Sequence, residues 1–161
     1  MHCLAEARSD VVCLQALKAS EEEFSEAAIN AADYEAIWHG QKSWNSVAIL
    51  SCGAQPIEPV HGLPEDPDNL HSRYIAAMID GVLVGCLYFL SGNPAPGLKF
   101  EYKLRWLERL TRHVEMLLAT AASVVLVRDY NVIPTELDSI NRNTGLMMRF
   151  FDPKCAMPSL I

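Results

Sequence analysis

The amino-acid sequence predicts a domain of the α+β class, with mixed sheets flanked by helices. Short runs of β-type residues recur through the first half of the chain, separated by turn-forming residues. Two of these runs enclose Asp80-Gly81, a dipeptide that strongly indicates a β-hairpin. A longer segment, residues 98–119, carries apolar residues at helical spacing. Because strands and helices do not alternate strictly, we expect mixed pairing rather than a purely parallel sheet.

The composition is that of a globular protein with one core. The chain has 161 residues, of which 50% are hydrophobic and 20% are charged. Its net charge of -7 argues against a generally basic protein that coats nucleic acid, but it is compatible with a local basic groove. No apolar run is long enough to cross a membrane, and the first residues lack a signal-peptide pattern.

The cysteines indicate a reducing compartment. There are five of them, and no two have the close spacing of a zinc-binding or redox motif. Three lie in apolar runs, which predicts buried free thiols. Because free thiols persist in a reducing cytosol, the sequence predicts a cytoplasmic protein.

The first part of the chain is predicted to contain three strands and one helix. Ser20 and Glu23 have the spacing of a capping box, which predicts a helix from Ser20 to about residue 32. Residues 53–72 are rich in Pro, Gly and acids and predict a surface loop. The strands are predicted at residues 11–15, 34–39 and 47–51.

The next part is predicted to form a hairpin and a long helix. Asp80-Gly81 predicts that residues 73–79 pair with residues 82–88. Apolar residues of the helix predict its core-packing face: Phe100, Leu104, Leu107, Leu110, Val114 and Leu117. Cations predict a solvated opposite side, with a phosphate-contact surface as the less favoured alternative: Lys99, Lys103, Arg105, Arg109 and Arg112.

The stretch from Val124 to Thr135 is the one around which the sequence is organised. Residues 124–127 are all apolar and predict a strand in the interior of a sheet. An acid and an amide follow, Asp129 and Asn131, at a place where a rigid strand can support chemistry. Such residues can hold a metal or orient a water. They also favour turns, and from these residues alone the turn is the preferred interpretation.

Five stretches in chain order carry a further signal: Cys13-Leu-Gln-Ala-Leu-Lys18, Gly40-Gln-Lys-Ser-Trp-Asn-Ser-Val-Ala-Ile-Leu-Ser51, Arg73-Tyr-Ile with Leu87-Tyr88, Lys99-Phe-Glu-Tyr-Lys-Leu-Arg-Trp-Leu107 and Asp129-Tyr-Asn-Val-Ile-Pro-Thr135. Together they resemble the exonuclease III family of the endonuclease/exonuclease/phosphatase fold. Any one stretch is weak, but five in the family's order make the resemblance specific.

The resemblance implies part of a four-layered α/β-sandwich, in which two sheets are flanked by helices. Residues 1–138 would form a partial endonuclease/exonuclease/phosphatase domain, and residues 139–161 would be a C-terminal tail outside the family. The chain is expected to be truncated, because the family's first strand and second half have no counterpart in it. Open strand edges and uncovered sheet surface favour self-association or a partner that covers the sheet.

The resemblance also implies a function. The family hydrolyses phosphodiester bonds of DNA with Mg²⁺ or Mn²⁺, as a 3′ exonuclease and as an endonuclease at abasic sites in DNA repair. Asp129 would orient or deprotonate the attacking water, and Asn131 would hold the phosphate or that aspartate. Tyr88 would lie near the scissile phosphate, although without the resemblance we would interpret it as a strand-end tyrosine with a packed ring. Lys18 and Lys42 would contact the DNA backbone.

Departures from the family pattern weaken this implied site. Ala16 stands where the family has its metal-binding glutamate, and its side chain offers no oxygen ligand. Arg128 and Ser46 replace family glycines. We therefore expect weak metal binding and an impaired or inactive nuclease. The alternative is a non-catalytic remnant that binds DNA or a protein. A metal-dependent phosphatase of the same fold is less favoured, because the segment starting at Gly40 resembles the nuclease branch.

Overall fold

The structure is a computed structural model that describes residues 2–129 except residues 19, 21, 43–44, 66–70 and 93–95. Within these residues the strands are β1 (Val11–Leu17), β2 (Tyr34–His39), β3 (Ser46–Cys52), β4 (Ile57–His61), β5 (Tyr74–Ile79), β6 (Val82–Tyr88) and β7 (Ser123–Asp129). The helices are α1 (His2–Ala7), α2 (Glu26–Asn30) and α3 (Leu98–Ala119). The predicted tail, residues 139–161, lies outside the described residues, so the domain boundary at residue 138 stays a prediction.

The strands form two sheets. The first sheet has the order β1-β3-β2, and the second has the order β4-β5-β6-β7. All pairs are antiparallel except β6–β7, which is parallel. A parallel pair needs a crossover connection, and α3 lies in the chain between β6 and β7. The predicted mixed pairing is therefore confirmed.

Three apolar clusters hold the layers together. The cluster between the two sheets includes Val47, Ile49, Ile75 and Cys86. The cluster between the second sheet and α3 includes Tyr74, Leu87, Trp106 and Leu110. The cluster on the outer face of the first sheet includes Leu4, Ile29, Tyr34 and Leu50. The layers therefore follow the order helix, sheet, sheet, helix, which confirms the predicted α+β class and the four-layered arrangement.

The turn between β5 and β6 is fixed by the two predicted residues. Asp80 has a φ of 48° and Gly81 a φ of 78°. Ile79 pairs with Val82 across the turn. Positive φ at both central residues is typical of a type I′ turn, whose twist matches that of the flanking strands. The predicted hairpin is confirmed.

Among the described residues, strand β7 lies at an edge of the second sheet, and this corrects a prediction. The sequence predicts residues 124–127 in the sheet interior, but within the described residues β7 pairs with β6 alone. The side chain of Val125 is 48% exposed. The apolar run reflects the two faces of the strand, of which one packs on α3 and the other faces the first sheet. It carries no information about whether the hydrogen-bonding edge is occupied.

Two predictions of local structure are also wrong. Residues 22–23 form a turn, and α2 begins only at Glu26. The Glu23 carboxylate accepts hydrogen bonds from the Ser20 N–H at 3.2 Å and from its hydroxyl at 2.9 Å, so the capping residues close an isolated turn. Residues 53–72, predicted to be a loop, include strand β4. The strand was not predicted because it contains a proline. An edge strand tolerates that proline.

Helix α3 has the predicted bounds, but its buried face differs from the predicted one. The buried residues are Lys103, Trp106, Leu110, His113 and Val114. Four residues of the predicted face are only partly buried: Phe100, Leu104, Leu107 and Leu117. Lys103, predicted to be solvated, is 2% exposed. Its Nζ donates to the Ser91 carbonyl at 3.2 Å and lies 5.2 Å from the Phe89 ring centroid. These contacts offset the cost of burying the ammonium group.

The thiols of Cys13, Cys52 and Cys86 are free. Cys86 is buried, as the sequence predicts for a cysteine in an apolar run, whereas Cys52 at the end of β3 is exposed. The pKa of the Cys86 thiol is raised, first by a hydrogen bond with Cys13 and then by burial, so this thiol stays protonated.

Among the helices of the described residues, none has both the length and the apolar character needed to cross a membrane.

Candidate active site

Strands β6 and β7 bring two predicted site residues side by side. Tyr88 and Asp129 are the last residues of these strands, and the parallel register pairs them directly. The Tyr88 side chain is half-buried. Carboxyl ends of neighbouring parallel strands are frequent positions for ligand-binding residues in open sheets. Asn131 lies outside the described residues, so its predicted role is not tested by this geometry.

Ala16 lies at a bulge in β1. Leu14 pairs with Ala48 of β3. The next pair joins Leu17 to Ser46, so β1 has one residue more than β3 in this interval. Ala16 itself has a φ of 54°, in the left-handed region that residues other than glycine seldom adopt. Bulges of this kind redirect a side chain and are frequent next to active sites.

Contacts between the sheets place this bulge at the same end of the sandwich as Tyr88. The Gln15 side-chain amide lies 3.9 Å from Cys86 Sγ, and the Cys86 thiol donates to the Leu14 carbonyl at 3.4 Å. Cys86 precedes Tyr88 by two residues on β6, and Ala16 follows Gln15 on β1. The structure therefore brings the bulge and the ends of β6 and β7 together.

A polar loop, residues 40–45, closes this end of the first sheet; residues 40–42 and 45 of it are described. The Ser46 hydroxyl accepts a hydrogen bond from the Gln41 N–H at 2.8 Å and donates to the Gln41 carbonyl at 3.1 Å. The Gln41 side-chain oxygen accepts from the Ser72 N–H at 3.3 Å. Ser46 is 2% exposed. The serine that departs from the family's glycine thus supplies the bonds that close the loop.

Lys18 and Lys42 are both exposed at this end of the sandwich. Lys18 directly follows β1, and Lys42 lies in the 40–45 loop. The pKa of Glu23 is lowered mainly by its hydrogen bonds with Ser20 and only slightly by the charge of Lys42. Exposed ammonium groups on flexible stems suit phosphate contacts. The placement of the two lysines is therefore compatible with DNA-backbone contacts.

A buried arginine beside Tyr88 is a site feature that sequence reasoning missed. Arg73 is 5% exposed, and its guanidinium carbon lies 5.3 Å from the Tyr88 ring centroid. Its Nη2 donates to Asn45 Oδ1. Its carbonyl accepts from the Tyr88 N–H at 2.9 Å. Burial lowers the pKa of Arg73. The sequence contained Arg73 within one of the resembling stretches, but nothing local distinguishes a buried arginine from an exposed one.

A family model described as "Endonuclease/Exonuclease/phosphatase family" matches residues 2–154. The chain belongs to this family. Exodeoxyribonuclease III of Haemophilus influenzae is 28% identical in an alignment of 134 positions that covers 80% of this chain and 50% of that protein. The chain thus spans about half the length of this curated relative.

Solved structures support the same assignment. An AP endonuclease from Archaeoglobus fulgidus superposes with a TM-score of 0.86 at 30% identity, over 96% of this chain and 59% of that one. A 3′ phosphatase, NExo from Neisseria, solved with a product DNA hairpin, superposes with a TM-score of 0.83 at 31% identity, over 93% of this chain and 61% of that one. The predicted resemblance to the exonuclease III branch of the endonuclease/exonuclease/phosphatase family is confirmed.

The described residues offer few side-chain ligands for a divalent cation. Within the part of the chain that the structure describes, no three His, Cys, Asp or Glu residues are grouped so that they could hold a metal. Ala16 offers no side-chain oxygen, and Asp129 is the carboxylate that ends β7. Mg²⁺ requires a near-octahedral set of oxygen ligands. The predicted ligand position at Ala16 contributes no carboxylate to such a set.

Proposed function

We propose that this chain is a diverged exonuclease III-type DNA-repair phosphodiesterase, with the 3′ exonuclease and abasic-site endonuclease activities of its branch in impaired form. The observation that carries the proposal is the parallel register that pairs Tyr88 with Asp129 beside the Ala16 bulge. DNA as the substrate is supported by relatives described as an AP endonuclease and as a 3′ phosphatase bound to a product DNA hairpin.

The proposed chemistry is hydrolysis of a phosphodiester bond. The Asp129 carboxylate orients a water and accepts its proton, while the water oxygen bonds to phosphorus and the bond to the leaving sugar oxygen breaks. The Tyr88 phenol donates to a phosphate oxygen on which negative charge grows. Asn131 holds the phosphate or Asp129. Lys18 and Lys42 contact neighbouring phosphates and set the salt dependence of binding.

Weak binding of Mg²⁺ or Mn²⁺ is part of the proposal. Ala16 removes a carboxylate from the position where the family pattern has one, and hard cations need well-placed oxygen ligands. When catalytic groups act as a unit, loss of one of them removes most of the enzyme's rate enhancement. We therefore propose that cleavage by this chain is slow even where DNA binding is retained.

A second candidate function is favoured by Ala16 itself. A chain that keeps the fold and the cations of the site but lacks the metal-binding carboxylate would act as a non-catalytic remnant that binds DNA or a protein. The edge of β7 that is unpaired within the described residues, and the exposed Val125, offer a place for a partner or a second copy. The free thiols of the described residues agree with the proposed cytoplasmic location.

The deciding experiment compares binding and cleavage of the same abasic duplex DNA in Mg²⁺. We expect measurable binding by fluorescence anisotropy and slow cleavage that disappears in Asp129→Ala. Lys18→Ala should leave the fold unchanged and reduce the steepness with which the logarithm of the binding constant falls with the logarithm of salt concentration, by about one unit. Binding without any cleavage above the Asp129→Ala background would select the remnant. A chain that neither binds nor cleaves DNA would refute the nuclease proposal.

A further inference from the structure

Arg73 connects the two sheets at the end that carries the candidate site. It directly precedes β5 of the second sheet, and its Nη2 donates to Asn45 in the loop before β3 of the first sheet. Its guanidinium carbon lies 5.3 Å from the Tyr88 ring centroid, within the range of a cation–π contact. One side chain therefore touches both the strand end with Tyr88 and the loop with Lys42.

The burial of this cation is costly for the fold. Arg73 is 5% exposed. Its Nε and Nη1 are inaccessible, and within the described residues they have no hydrogen-bond partner. Buried donors without acceptors destabilise a protein, and an apolar side chain of similar size usually serves packing as well or better. The position of such a group beside a strand-end tyrosine points to a role other than packing.

We propose that Arg73 is a positioning residue for Tyr88. The planar guanidinium holds the phenol ring by its face, and the bond to Asn45 fixes this pair against the 40–45 loop. A lysine could place charge over the ring, but it lacks the planar fork that also reaches the amide. The orientation of the phenol toward a DNA phosphate, and the placement of the Lys42 loop, would then depend on one buried side chain. This inference rests on the proposed function.

The first test measures the Tyr88 ring directly in the full chain. Tyrosines are replaced by 3-fluorotyrosine, and the Tyr88 fluorine resonance is assigned by its loss in Tyr88→Phe. We expect Arg73→Met to shift or broaden this resonance and Arg73→Lys to restore it in part. Ile29→Ala, a core truncation in the cluster on the outer face of the first sheet, controls for lost stability. An unchanged resonance in Arg73→Met, or an equal change in Ile29→Ala, would overturn the proposal.

The second test is a double-mutant cycle in affinity for abasic duplex DNA. If Arg73 acts through Tyr88, Arg73→Met and Tyr88→Phe should each weaken binding roughly tenfold, and the double variant should bind about as weakly as either. Independent effects that multiply to about a hundredfold would contradict the positioning role. A wild-type chain that does not bind DNA would refute the proposed function, and the fluorine spectra would still decide whether Arg73 positions Tyr88.

Discussion

Replacing Tyr74 with phenylalanine tests the bond that fastens α3 to the second sheet. The Tyr74 hydroxyl and His113 Nε2 are 2.8 Å apart, and the two rings meet edge to face with centroids 5.4 Å apart. Tyr74 is 1% exposed and His113 is 9% exposed. Phenylalanine keeps the ring packing but leaves the imidazole nitrogen buried without its partner. Such a loss costs about 1–3 kcal/mol. For a chain of this size, each kcal/mol lowers Tm by roughly 2–4 °C.

The same pair predicts a pH dependence. Burial lowers the pKa of His113 from 6.5 and raises the pKa of Tyr74 to about 12, so neutral imidazole and neutral phenol are the folded forms. Since the unfolded chain binds the histidine proton more readily, this contribution to stability is fully present above pH 6.5 and is lost as the pH falls through the lowered folded pKa. The unfolding free energy of the wild-type chain should therefore fall when the pH is lowered below 6.5.

Urea unfolding at pH 8 and at a mildly acidic pH measures both effects. Tyr102→Phe is the matched control, because its hydroxyl lies 3.2 Å from Nδ1 of His71 in a half-buried pair, where water can replace the lost bond. We expect a smaller loss of unfolding free energy for Tyr102→Phe than for Tyr74→Phe. Equal losses, or a Tyr74→Phe variant as stable as wild type at pH 8, would refute the reasoning.

Three further predictions concern the site and the open edge. Ala16→Glu should raise divalent-metal affinity in titration calorimetry while cleavage of abasic DNA on gels stays near background; strong cleavage that is lost when Asp129→Ala is added would mean that Ala16 is the main lesion. The wild-type chain should bind Mg²⁺ only weakly, and a tight calorimetric site would reveal ligands outside those considered. The chain should self-associate through the edge of β7, which is unpaired within the described residues. A monomer peak in size-exclusion chromatography whose position does not depend on concentration would contradict that role of the edge.

Local chemistry made much of the fold predictable. The hairpin followed from Asp80-Gly81, whose backbone preferences select the turn without help from the rest of the chain. The bounds of α3 followed from a long periodic segment. The Glu23 carboxylate accepts the bond from the Ser20 N–H that a capping box contains, but no helix continues from these residues. A capping pair indicates that a first turn can form. Whether a helix propagates from that turn depends on the packing of the residues that follow.

The misses share a physical cause, because each depends on what lies opposite a residue in space. The apolar run of β7 indicated that both faces of the strand are apolar, and it did not indicate whether the edge of the strand is paired. The burial of Lys103 and Arg73 was not predicted because the aromatic rings and polar groups that contact these cations are distant in the chain. From sequence spacing alone, a cation on a helix is predicted to be exposed to solvent. Only the fold shows the aromatic ring that contacts the cation and allows its burial.

At Ala16 the side-chain ligand is missing, but the bulged backbone that would carry it is present. An alanine gains nothing from a φ of 54°, so the bulge must be held by its neighbours. The Gln15 amide and the Leu14 carbonyl both contact Cys86 of the opposite sheet, and Leu17 resumes pairing with Ser46. These bonds do not involve the side chain at position 16. A glutamate placed there meets a backbone whose bulge is already formed, and its unbranched Cβ adds no strain of the kind a β-branched residue would bring. The effect of Ala16→Glu on metal affinity therefore measures the missing carboxylate, and the effect on folding should be small.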